Sequence, residues 1–407
     1  MKKFGLLGEH LGHSYSPQIH KMLGGYDYDL FEVAPDDLGR FMTEAGFDGI
    51  NVTIPYKKAV IPYCDELTAE AAEIGSVNTI VRLPDGRLRG DNTDYHGFLG
   101  LISHSGITVA GKKCIVLGNG GVAPTVRAAL KNSGAASVIT VSRSGEDNYG
   151  NISRHADADI IVNTTPLGMY PKNGSAAVSL SSFPNCSGVL DLVYNPALTA
   201  ILLDAKERGI RHEGGLYMLV KQAACACERF LGTSVSDEAV NAAFRRIEAQ
   251  TLNVALIGMP GCGKSSAGAC LAKLTGRRLV DIDDEITKRI GCSIPEFFAA
   301  NGEAQFRRVE TEVLSDVSKL SGIIIACGGG VVTVSENYRL LRQNSRIVFL
   351  ERDIDALPTD GRPVSQASSP AVLAEKRLPL YNAWCDMKLR ADSPEDAAAK
   401  IKEALEL

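Results

Sequence analysis

The sequence predicts an α/β protein with more than one domain. Two glycine-rich loops support this, VLGNGGVAP at residues 116–124 and LIGMPGCGKSS at residues 256–266, because each follows a continuous apolar run and precedes a segment with helical periodicity. Such runs are typical of buried parallel strands connected by helices. The length of 407 residues also exceeds what one hydrophobic core usually serves.

The composition argues against several classes of protein. Charged residues make up 22% of the chain, and a net charge of −5 gives no reason to expect a nucleic acid or an anionic membrane as partner. No window approaches about 18 uncharged apolar residues, and Glu9 and His10 end the first apolar run too early for a signal peptide. The ten cysteines lack the spacing of a zinc site. We therefore expect a cytoplasmic protein whose partners are small-molecule substrates.

Changes in pattern along the chain predict three domains. Residues 1–100 alternate strands and helices, and helices at about 218–247 complete this domain. Residues 101–217 contain the first glycine loop and follow a doubly wound, Rossmann-type pattern. The pattern restarts at residues 250–252, so residues 253–407 form a further domain, with a boundary at roughly 247–253 and no long Pro-, Gly- or Ser-rich linker.

The second loop fits a nucleotide phosphate-binding motif, G-x-x-x-x-G-K-[ST], between a strand and a helix. In such a loop the backbone N–H groups wrap the phosphates, the lysine reaches the β- and γ-phosphate oxygens and the hydroxyl can bind Mg²⁺. The residues expected to hold the nucleotide are Gly258, Gly261, Cys262, Gly263, Lys264, Ser265 and Ser266. All seven histidines precede residue 213, so proton transfer in this half requires a carboxylate, a lysine or an arginine.

Five further motifs follow this loop: VDIDDEI, NGEAQFRRVE, IACGGGVVT, GRPV and KRLPLY. With them, residues 253–407 resemble shikimate kinase, an ATP- and Mg²⁺-dependent P-loop enzyme with an α/β fold like that of nucleoside monophosphate kinases. The resemblance implies that Asp281 assists Mg²⁺ through water, beside Ser265, and that Asp283 holds the reacting hydroxyl and is the best candidate for the base. It also implies a carboxylate clamp of Arg307 and Arg377, a ring-binding surface of Gly328, Gly329 and Gly330, and phosphoryl contacts from Lys264 and the lid residue Arg362.

Two features depart from that family's pattern. The segment between Glu351 and Arg362 is short and lacks the arginine that commonly lies against the adenine. The segment from Arg362 to Arg377, which corresponds to the lid, is short as well. A weak or silent kinase half is therefore an alternative. From the helical pattern alone, only one of the neighbours Arg307 and Arg308 can face inward.

The N-terminal part contains four polar motifs: HSYSP at 13–17, NVTIPYK at 51–57, GSVNT at 75–79 and GDNTDYHG at 90–97. In an extended segment Ser14 and Ser16 share a face, so both hydroxyls can contact one carboxylate. Lys57 is the one lysine inside these motifs, and we pair it with Asp94.

These motifs and the glycine loop that follows them resemble shikimate dehydrogenase over residues 1 to about 245. The resemblance implies that Lys57 and Asp94 form the catalytic pair. Reduction of a ketone by hydride makes an alkoxide, which Lys57 can stabilise and protonate while Asp94 orients the lysine, and this chemistry needs no metal. The expected substrate contacts are Ser14, Ser16, Thr53, Asn78, Asn92, Asp94, Tyr194 and Gln222.

The cofactor prediction depends on two segments. The loop lets a pyrophosphate approach the following helix N-terminus through Gly118, Asn119, Gly120 and Gly121. The next strand ends in Ser142, Arg143 and Ser144, where an NAD enzyme would be expected to carry an acid, so NADP(H) is favoured. Two departures weaken this prediction. Glu146 and Asp147 occupy the place of a second basic residue, and Pro124 stands where the family often has arginine.

Together the halves predict a bifunctional enzyme that reduces 3-dehydroshikimate with NADPH and then phosphorylates shikimate with ATP. Two other interpretations are open. The first half could prefer quinate and NAD, with a weak or silent kinase half, or the chain could be a catalytically dead regulatory homologue. Retention of Lys57, Asp94, Lys264, Asp283 and the two clamp arginines argues against the regulator.

Overall fold

A computed structural model describes residues 2–12, 14–44, 46–354 and 370–407. The chain divides into two compact units, one of Met1–Tyr194 with Thr199–Ile247 and one of Asn195–Leu198 with Glu248–Leu407. The division between Ile247 and Glu248 falls inside the interval 247–253. Within the described ranges, no helix is long and apolar enough to cross a membrane.

The first unit begins with a mixed six-stranded sheet of order β2-β1-β3-β5-β6-β4. Its strands are β1 (Phe4–Gly8), β2 (Tyr28–Glu32), β3 (Gly49–Val52), β4 (Glu66–Leu67), β5 (Thr79–Arg82) and β6 (Leu88–Asp91), and its helices are α1 (Ser16–Gly24), α2 (Leu38–Glu44) and α3 (Ala69–Ile74). Strands β5 and β6 are antiparallel because a tight turn joins them, in which the Gly86 N–H donates to the Leu83 carbonyl. This sheet is therefore mixed, whereas the parallel pattern predicted from the glycine loops concerns the segments that follow them.

The rest of the first unit is a five-stranded parallel sheet of order β11-β10-β9-β7-β8. Its strands are β7 (Lys113–Leu117), β8 (Ser137–Val141), β9 (Ile160–Asn163), β10 (Gly188–Asp191) and β11 (Arg211–Glu213), and the helices are α4 (Thr93–Ser105), α5 (Ala123–Asn132), α6 (Ala200–Glu207), α7 (Leu216–Leu231) and α8 (Asp237–Thr251). Helix α4 runs through position 100, where a domain boundary was predicted. It packs against both α5 and α7.

The second unit contains one five-stranded parallel sheet of order β13-β14-β12-β15-β16. Its strands are β12 (Asn253–Ile257), β13 (Leu279–Asp281), β14 (Ile324–Ala326), β15 (Ser345–Glu351) and β16 (Met387–Arg390). The described helices are α9 (Lys264–Thr275), α10 (Ile282–Ile290), α11 (Ile294–Val317), α12 (Ser335–Arg342), α13 (Pro370–Trp384) and α14 (Pro394–Ala404). Every residue of β12 is buried, which explains its continuous apolar pattern.

Strand order places both glycine loops where ligands bind in open α/β sheets. Strand β7 lies between β9 and β8, and β12 lies between β14 and β15, so the chain leaves each of these two strands at a point where the strand order reverses. Crevices open outside the carboxyl ends of strands at such points. The loops after Leu117 and after Ile257 each lie at such an end.

Candidate active sites

A cavity of about 390 Å³ in the first unit collects the polar motifs of the N-terminal part. Its walls come from the segment before α1, the end of β3, the first turn of α4 and the helix α7. Eight predicted residues line it: Ser14, Ser16, Thr53, Lys57, Asn78, Asp94, Tyr194 and Gln222. The fold thus joins segments from widely separated parts of the first unit.

The Lys57 ammonium lies 2.6 Å from the Asp94 carboxylate, Nζ to Oδ2. Asp94 occupies the first turn of α4, where the helix N-terminus favours a negative charge. The two side chains are 21% and 14% exposed, so they are shielded yet reachable from the cavity. Lys58, the next residue, is exposed. This arrangement can hold an ammonium group against a bound oxygen atom.

The amide of Asn78 is oriented by its neighbours. Its Oδ1 accepts hydrogen bonds from the Thr93 backbone N–H at 2.7 Å, the Thr79 hydroxyl at 3.1 Å and the Thr93 hydroxyl at 3.2 Å. Its Nδ2 has no partner within the described residues, and Asn78 lines the cavity. The Nδ2 group can therefore donate to an oxygen atom of a bound molecule.

Asn92 differs from the prediction, because it is fully buried and does not line the cavity. Its Oδ1 accepts from the Tyr95 N–H at 3.2 Å, and its Nδ2 donates to the Ser76 carbonyl at 2.8 Å. Asn92 is the N-cap of α4. In this structure its side chain supports the turn that carries Asp94 instead of contacting the cavity.

Gln222 reaches the cavity because α4 and α7 approach closely. At Gly97 of α4, an added Cβ would lie 2.8 Å from Gln222 Cβ and 2.9 Å from the Met218 carbonyl oxygen. Only glycine allows this approach without displacing α7. The position of Gln222 therefore depends on the glycine that ends the sequence motif GDNTDYHG.

The first glycine loop leaves backbone exposed next to α5. Added Cβ atoms at Gly120 and Gly121 would meet nothing within 4 Å, whereas Gly118 has a φ of +99° and packs against Thr165. The Asn119 Oδ1 accepts a hydrogen bond from the Arg127 guanidinium at 3.1 Å, and Arg127 also donates to Thr140 Oγ1 at 3.4 Å. Arg127 therefore brings a positive charge next to the loop.

One acidic residue of the segment after β8, Asp147, pairs with residues other than Arg143. The Asp147 carboxylate accepts from His155 Nε2 at 2.7 Å and lies 3.8 Å from the Arg154 guanidinium. The hydrogen bond from His155 holds the pKa of Asp147 below its usual range. Arg143 and Ser144 are both exposed, and Ser142 is half-buried.

A second cavity, of about 500 Å³, lies in the second unit and collects the remaining motifs. The predicted residues that line it are Gly261, Gly263, Lys264, Ser265, Ser266, Asp281, Asp283, Arg307, Gly328, Gly329, Gly330 and Arg377. Gly258 and Cys262 do not line it. Cys262 instead lines a smaller cavity of about 90 Å³ that shares Gly263 with the larger one.

Lys264 lies inside the second loop. Its Nζ donates to the carbonyls of Gly258 and Met259, each at 3.0 Å, and the residue is 8% exposed. Helix α9 begins at Lys264, directly after Gly263, whose φ of +95° requires glycine. The ammonium and the first N–H groups of α9 thus face the same space, which is a favourable arrangement for phosphate.

Ser265 and Asp281 place two oxygen atoms side by side, with Ser265 Oγ donating to Asp281 Oδ2 at 2.5 Å. Asp281 Oδ1 accepts from the Asp283 N–H at 3.0 Å and so caps α10. Desolvation in the cavity, followed by the Asp281 charge, raises the pKa of Asp283. No group of three or more histidine, cysteine or acidic side chains that could hold a metal occurs in the described part of the chain.

Arg307 faces the cavity and Arg308 is exposed. The Arg307 guanidinium donates to Glu310 Oε2 at 2.7 Å and to Glu303 Oε1 at 3.2 Å. Burial raises the pKa of Glu310, although Arg307 opposes this, and Glu310 Oε1 has no hydrogen-bond partner in the described structure. Glu310 thus orients the arginine that is expected to bind a carboxylate.

The three glycines after β14 allow side chains to approach closely. At Gly328 an added Cβ would lie 2.8 Å from Glu310 Oε1, and at Gly329 it would lie 2.7 Å from Pro260. At Gly330 it would overlap the Arg307 guanidinium. Arg377 Nη1 donates to the Gly329 carbonyl at 3.2 Å, and the Tyr381 hydroxyl donates to the same oxygen. Both predicted clamp arginines therefore contact or closely approach this segment.

Comparisons with known proteins agree with both halves. Residues 6–80 match the family model for the shikimate dehydrogenase substrate binding domain, and residues 260–406 match the family model for shikimate kinase. A shikimate dehydrogenase (NADP(+)) of Clostridium perfringens (strain SM101 / Type A) is 38% identical over 256 residues, which cover 58% of this chain and 94% of that protein. The chain belongs to the shikimate dehydrogenase family.

Solved structures extend this result. A chorismate mutase/shikimate 5-dehydrogenase fusion protein from Clostridium acetobutylicum has a TM-score of 0.57 and 37% identity, covering 61% of this chain and 97% of that one. Shikimate 5-dehydrogenase from Thermus thermophilus, solved with NADP(H) and shikimate, has a TM-score of 0.55 and 30% identity. The match covers 60% of this chain and 99% of that one. The second unit carries a shikimate kinase domain at residues 260–406.

Sequence reasoning missed several residues near the two sites. Glu310 lies one helical turn after Arg307, and Arg127 lies three positions after Pro124, so helical spacing was an available signal for both. Arg352 and Pro394, which were not predicted as site residues, line both the larger and the smaller of the two cavities described in the second unit. The predicted lid residue Arg362 lies outside the described residues.

Proposed function

We propose that this chain catalyses two consecutive reactions: reduction of 3-dehydroshikimate to shikimate with NADPH, and transfer of the ATP γ-phosphoryl group to a hydroxyl of shikimate. The observation that carries the proposal is the Lys57–Asp94 contact of 2.6 Å within the polar cavity of the first unit. The shikimate kinase match over residues 260–406 supports the second reaction.

In the first reaction NADPH supplies the hydride to the carbonyl carbon. The carbonyl oxygen then develops negative charge, which the Lys57 ammonium stabilises before it donates a proton to that oxygen. Asp94 holds the ammonium through the 2.6 Å contact and keeps it aimed at the substrate. In the reverse direction Lys57 takes up the hydroxyl proton while the hydride passes from the carbon to NADP⁺.

The remaining cavity residues fit a polyhydroxylated carboxylic acid. Ser14 and Ser16 lie near each other, with the Ser16 N–H donating to Ser14 Oγ at 3.2 Å, and their hydroxyls can donate to a carboxylate. Asn78 offers its Nδ2 donor to a ring hydroxyl oxygen. Gln222 and Thr53 provide further polar groups in the same cavity.

NADP(H) is the cofactor that the charges of the first unit favour. Arg143 is exposed after β8, and Asp147 is paired with His155 and Arg154. Arg127 beside Asn119 supplies a cation one helical turn after Pro124. These features support binding of a 2′-phosphate and a pyrophosphate despite the two sequence departures.

In the second reaction the chain supplies positioning and charge. Lys264 and the loop N–H groups bind the β- and γ-phosphates, and Arg307 and Arg377 bind the substrate carboxylate. Asp283, with its raised pKa, accepts the proton of the attacking hydroxyl. Ser265 and Asp281 have hard oxygen atoms side by side and fit Mg²⁺, which neutralises phosphate charge when bound.

A coupled assay tests both activities. The purified chain receives 3-dehydroshikimate, NADPH, ATP and Mg²⁺, and NADPH loss and ADP release are followed together. We expect both, with ADP release dependent on NADPH, and NADPH loss without ADP release would contradict the kinase assignment. The substitution Arg307→Leu should abolish ADP release. The substitution Arg308→Leu, at the exposed neighbouring residue, should leave ADP release intact. Parallel kinetics with quinate and NAD test the alternative substrate and cofactor.

A further inference from the structure

A chain of buried side chains runs from β2 to the donor group of the dehydrogenase cavity. The Tyr28 hydroxyl donates to Asn51 Oδ1 at 2.7 Å, and Asn51 Nδ2 donates to Thr79 Oγ1 at 2.9 Å. Thr79 Oγ1 donates in turn to Asn78 Oδ1 at 3.1 Å. Tyr28, Asn51, Asn78 and Thr79 are all 9% exposed or less, so these bonds are shielded from bulk water although Asn51 and Asn78 also line the cavity.

The direction of the hydrogen bonds is determined at both ends. Asn51 Nδ2 lies 3.4 Å from the Asn78 carbonyl, which can only accept, so the amide nitrogen faces Thr79 and the amide oxygen faces Tyr28. At the other end the Thr93 N–H, which can only donate, lies 2.7 Å from Asn78 Oδ1. Every hydrogen bond in this series therefore donates in the direction of Asn78 Oδ1. The Asn78 Nδ2 group remains available to donate to a molecule in the cavity.

The Thr79 and Thr93 hydroxyls preserve this direction. They lie 2.9 Å apart, and either can donate to the other. Thr79 Oγ1 already accepts from Asn51, so its own proton goes to Asn78 Oδ1 or to Thr93 Oγ1. Thr93 Oγ1 in turn lies 3.2 Å from Asn78 Oδ1. By either route the last acceptor is the same atom.

Tyr28 is held at the start of this chain. Its ring stacks on His20, with ring centroids 4.0 Å apart and an interplanar angle of 12°. Burial raises the pKa of the Tyr28 phenol, which stays protonated and can act as the donor that the chain requires. Burial also lowers the pKa of His20 to about 3, so its ring is neutral and places no charge beside the phenol.

We propose that Tyr28 is a positioning residue for substrate binding, acting through Asn51 and Thr79 on the amide of Asn78. This inference rests on the proposed dehydrogenase function, since the hydroxyl that Asn78 Nδ2 contacts belongs to a polyhydroxylated substrate. Loss of the Tyr28 donor leaves Asn51 Oδ1 buried and unpaired. The Asn51 amide is then held from one side alone, which loosens its hydrogen bond to Thr79 and, through Thr79, the orientation of the Asn78 amide.

The variant Tyr28→Phe tests this with steady-state kinetics of shikimate oxidation by NADP⁺. We expect the KM for shikimate to rise about 3- to 10-fold, the value of one or two hydrogen bonds, while kcat and the KM for NADP⁺ change less than about twofold. A structural defect alone would lower kcat through loss of active protein and leave the KM for shikimate unchanged. The KM for NADP⁺ serves as the internal measure of an intact first unit.

A pair of variants at Thr79 gives the second measurement. Thr79→Ser keeps the hydroxyl and should retain the wild-type KM, whereas Thr79→Val removes it and should raise the KM for shikimate as Tyr28→Phe does. An unchanged KM in both Tyr28→Phe and Thr79→Val overturns the inference. If the wild-type chain does not oxidise shikimate at all, the proposed function fails first, so the two failures are distinguishable.

Discussion

Lys57 and Asp94 lie 2.6 Å apart in the dehydrogenase cavity although 37 positions separate them in the chain. Lys57 follows a strand of the mixed sheet, and Asp94 begins the helix that packs against α7. The contact gives the lysine a fixed direction, and Lys58 provides an exposed neighbour for comparison.

Lys57→Met should lower kcat for NADP⁺-dependent shikimate oxidation by about 10²- to 10⁴-fold, because the alkoxide loses both its stabilising charge and its proton donor. The measurement is NADPH formation at saturating shikimate. Lys58→Met is the matched control and should retain full activity. Kinase activity of the Lys57 variant should equal that of the wild type, and comparable dehydrogenase activity in both variants would contradict the role of Lys57.

Gly330→Ala should raise the KM of the kinase half for shikimate about 10-fold or more. Gly330 has a φ of −97°, which alanine adopts readily, but the added Cβ would overlap the Arg307 guanidinium. Arg307 must therefore move while its chemistry is unchanged. ADP release at varied shikimate measures the effect, dehydrogenase activity is the control, and a wild-type KM would show that this position of Arg307 is not needed for binding.

The kinase half should lose activity on acidification at a higher pH than an ordinary aspartate would dictate. Desolvation and the Asp281 charge raise the pKa of Asp283, and the charge of Asp284 contributes in the same direction. A base must be unprotonated, so activity falls as pH decreases through this raised pKa. The pH profile of kcat/KM for shikimate tests this. Asp284→Asn should move the acid limb to lower pH, and a wild-type acid limb at the pH of an ordinary aspartate would contradict the raised pKa of Asp283.

Asp191 should make the first unit less stable as pH rises from 4 to 6. It is fully buried at the end of β10, and burial raises its pKa to about 6, although Thr199, Val193 and Asn163 donate hydrogen bonds to it. The folded state then binds a proton that the unfolded state has released, and this stabilisation is lost above about pH 6. Relative to wild type, the free energy of unfolding of the Asp191→Asn variant should therefore rise by up to about 3 kcal/mol between pH 4 and 7.

Unfolding in urea followed by two signals measures this. The single tryptophan, Trp384, lies in the second unit, so its fluorescence should report the same transition in both proteins. Circular dichroism reports both units, and only its first-unit component should change. A difference between wild type and variant that does not depend on pH would contradict the raised pKa. Comparison with wild type at each pH cancels the opposite contribution of His20.

Local patterns were sufficient for the loops and for most site residues. A phosphate loop is a contiguous motif whose glycines, lysine and hydroxyl act within one turn, so Gly263, Lys264 and Ser265 are recognisable without a partner segment. Gly120 and Gly121, which leave the backbone of the first loop exposed, are likewise recognisable from the local sequence. The antiparallel pairing of β5 and β6 was not predicted, because the apolar runs beside the glycine loops indicate parallel sheets and carry no information about this pair.

Asn92 shows where motif reasoning stops. Its position between Asp91 and Asp94 suggests a cavity residue, but the direction of a side chain at a helix N-cap depends on which backbone groups need a partner. The N–H of Tyr95 and the carbonyl of Ser76 take both ends of its amide. Only the packing of the strand end against the helix decides this.

Neighbours along the chain were enough to specify the two phosphate loops, the alternation of strands and helices and the residue types for each reaction. Packing in three dimensions was needed to pair Lys57 with Asp94, Arg307 with Glu310 and Asp147 with His155. It also determined which end of the Asn78 amide faces the cavity. Charges and hydrogen bonds act over a few ångströms in space, so their partners become definite only when the strands and helices have packed.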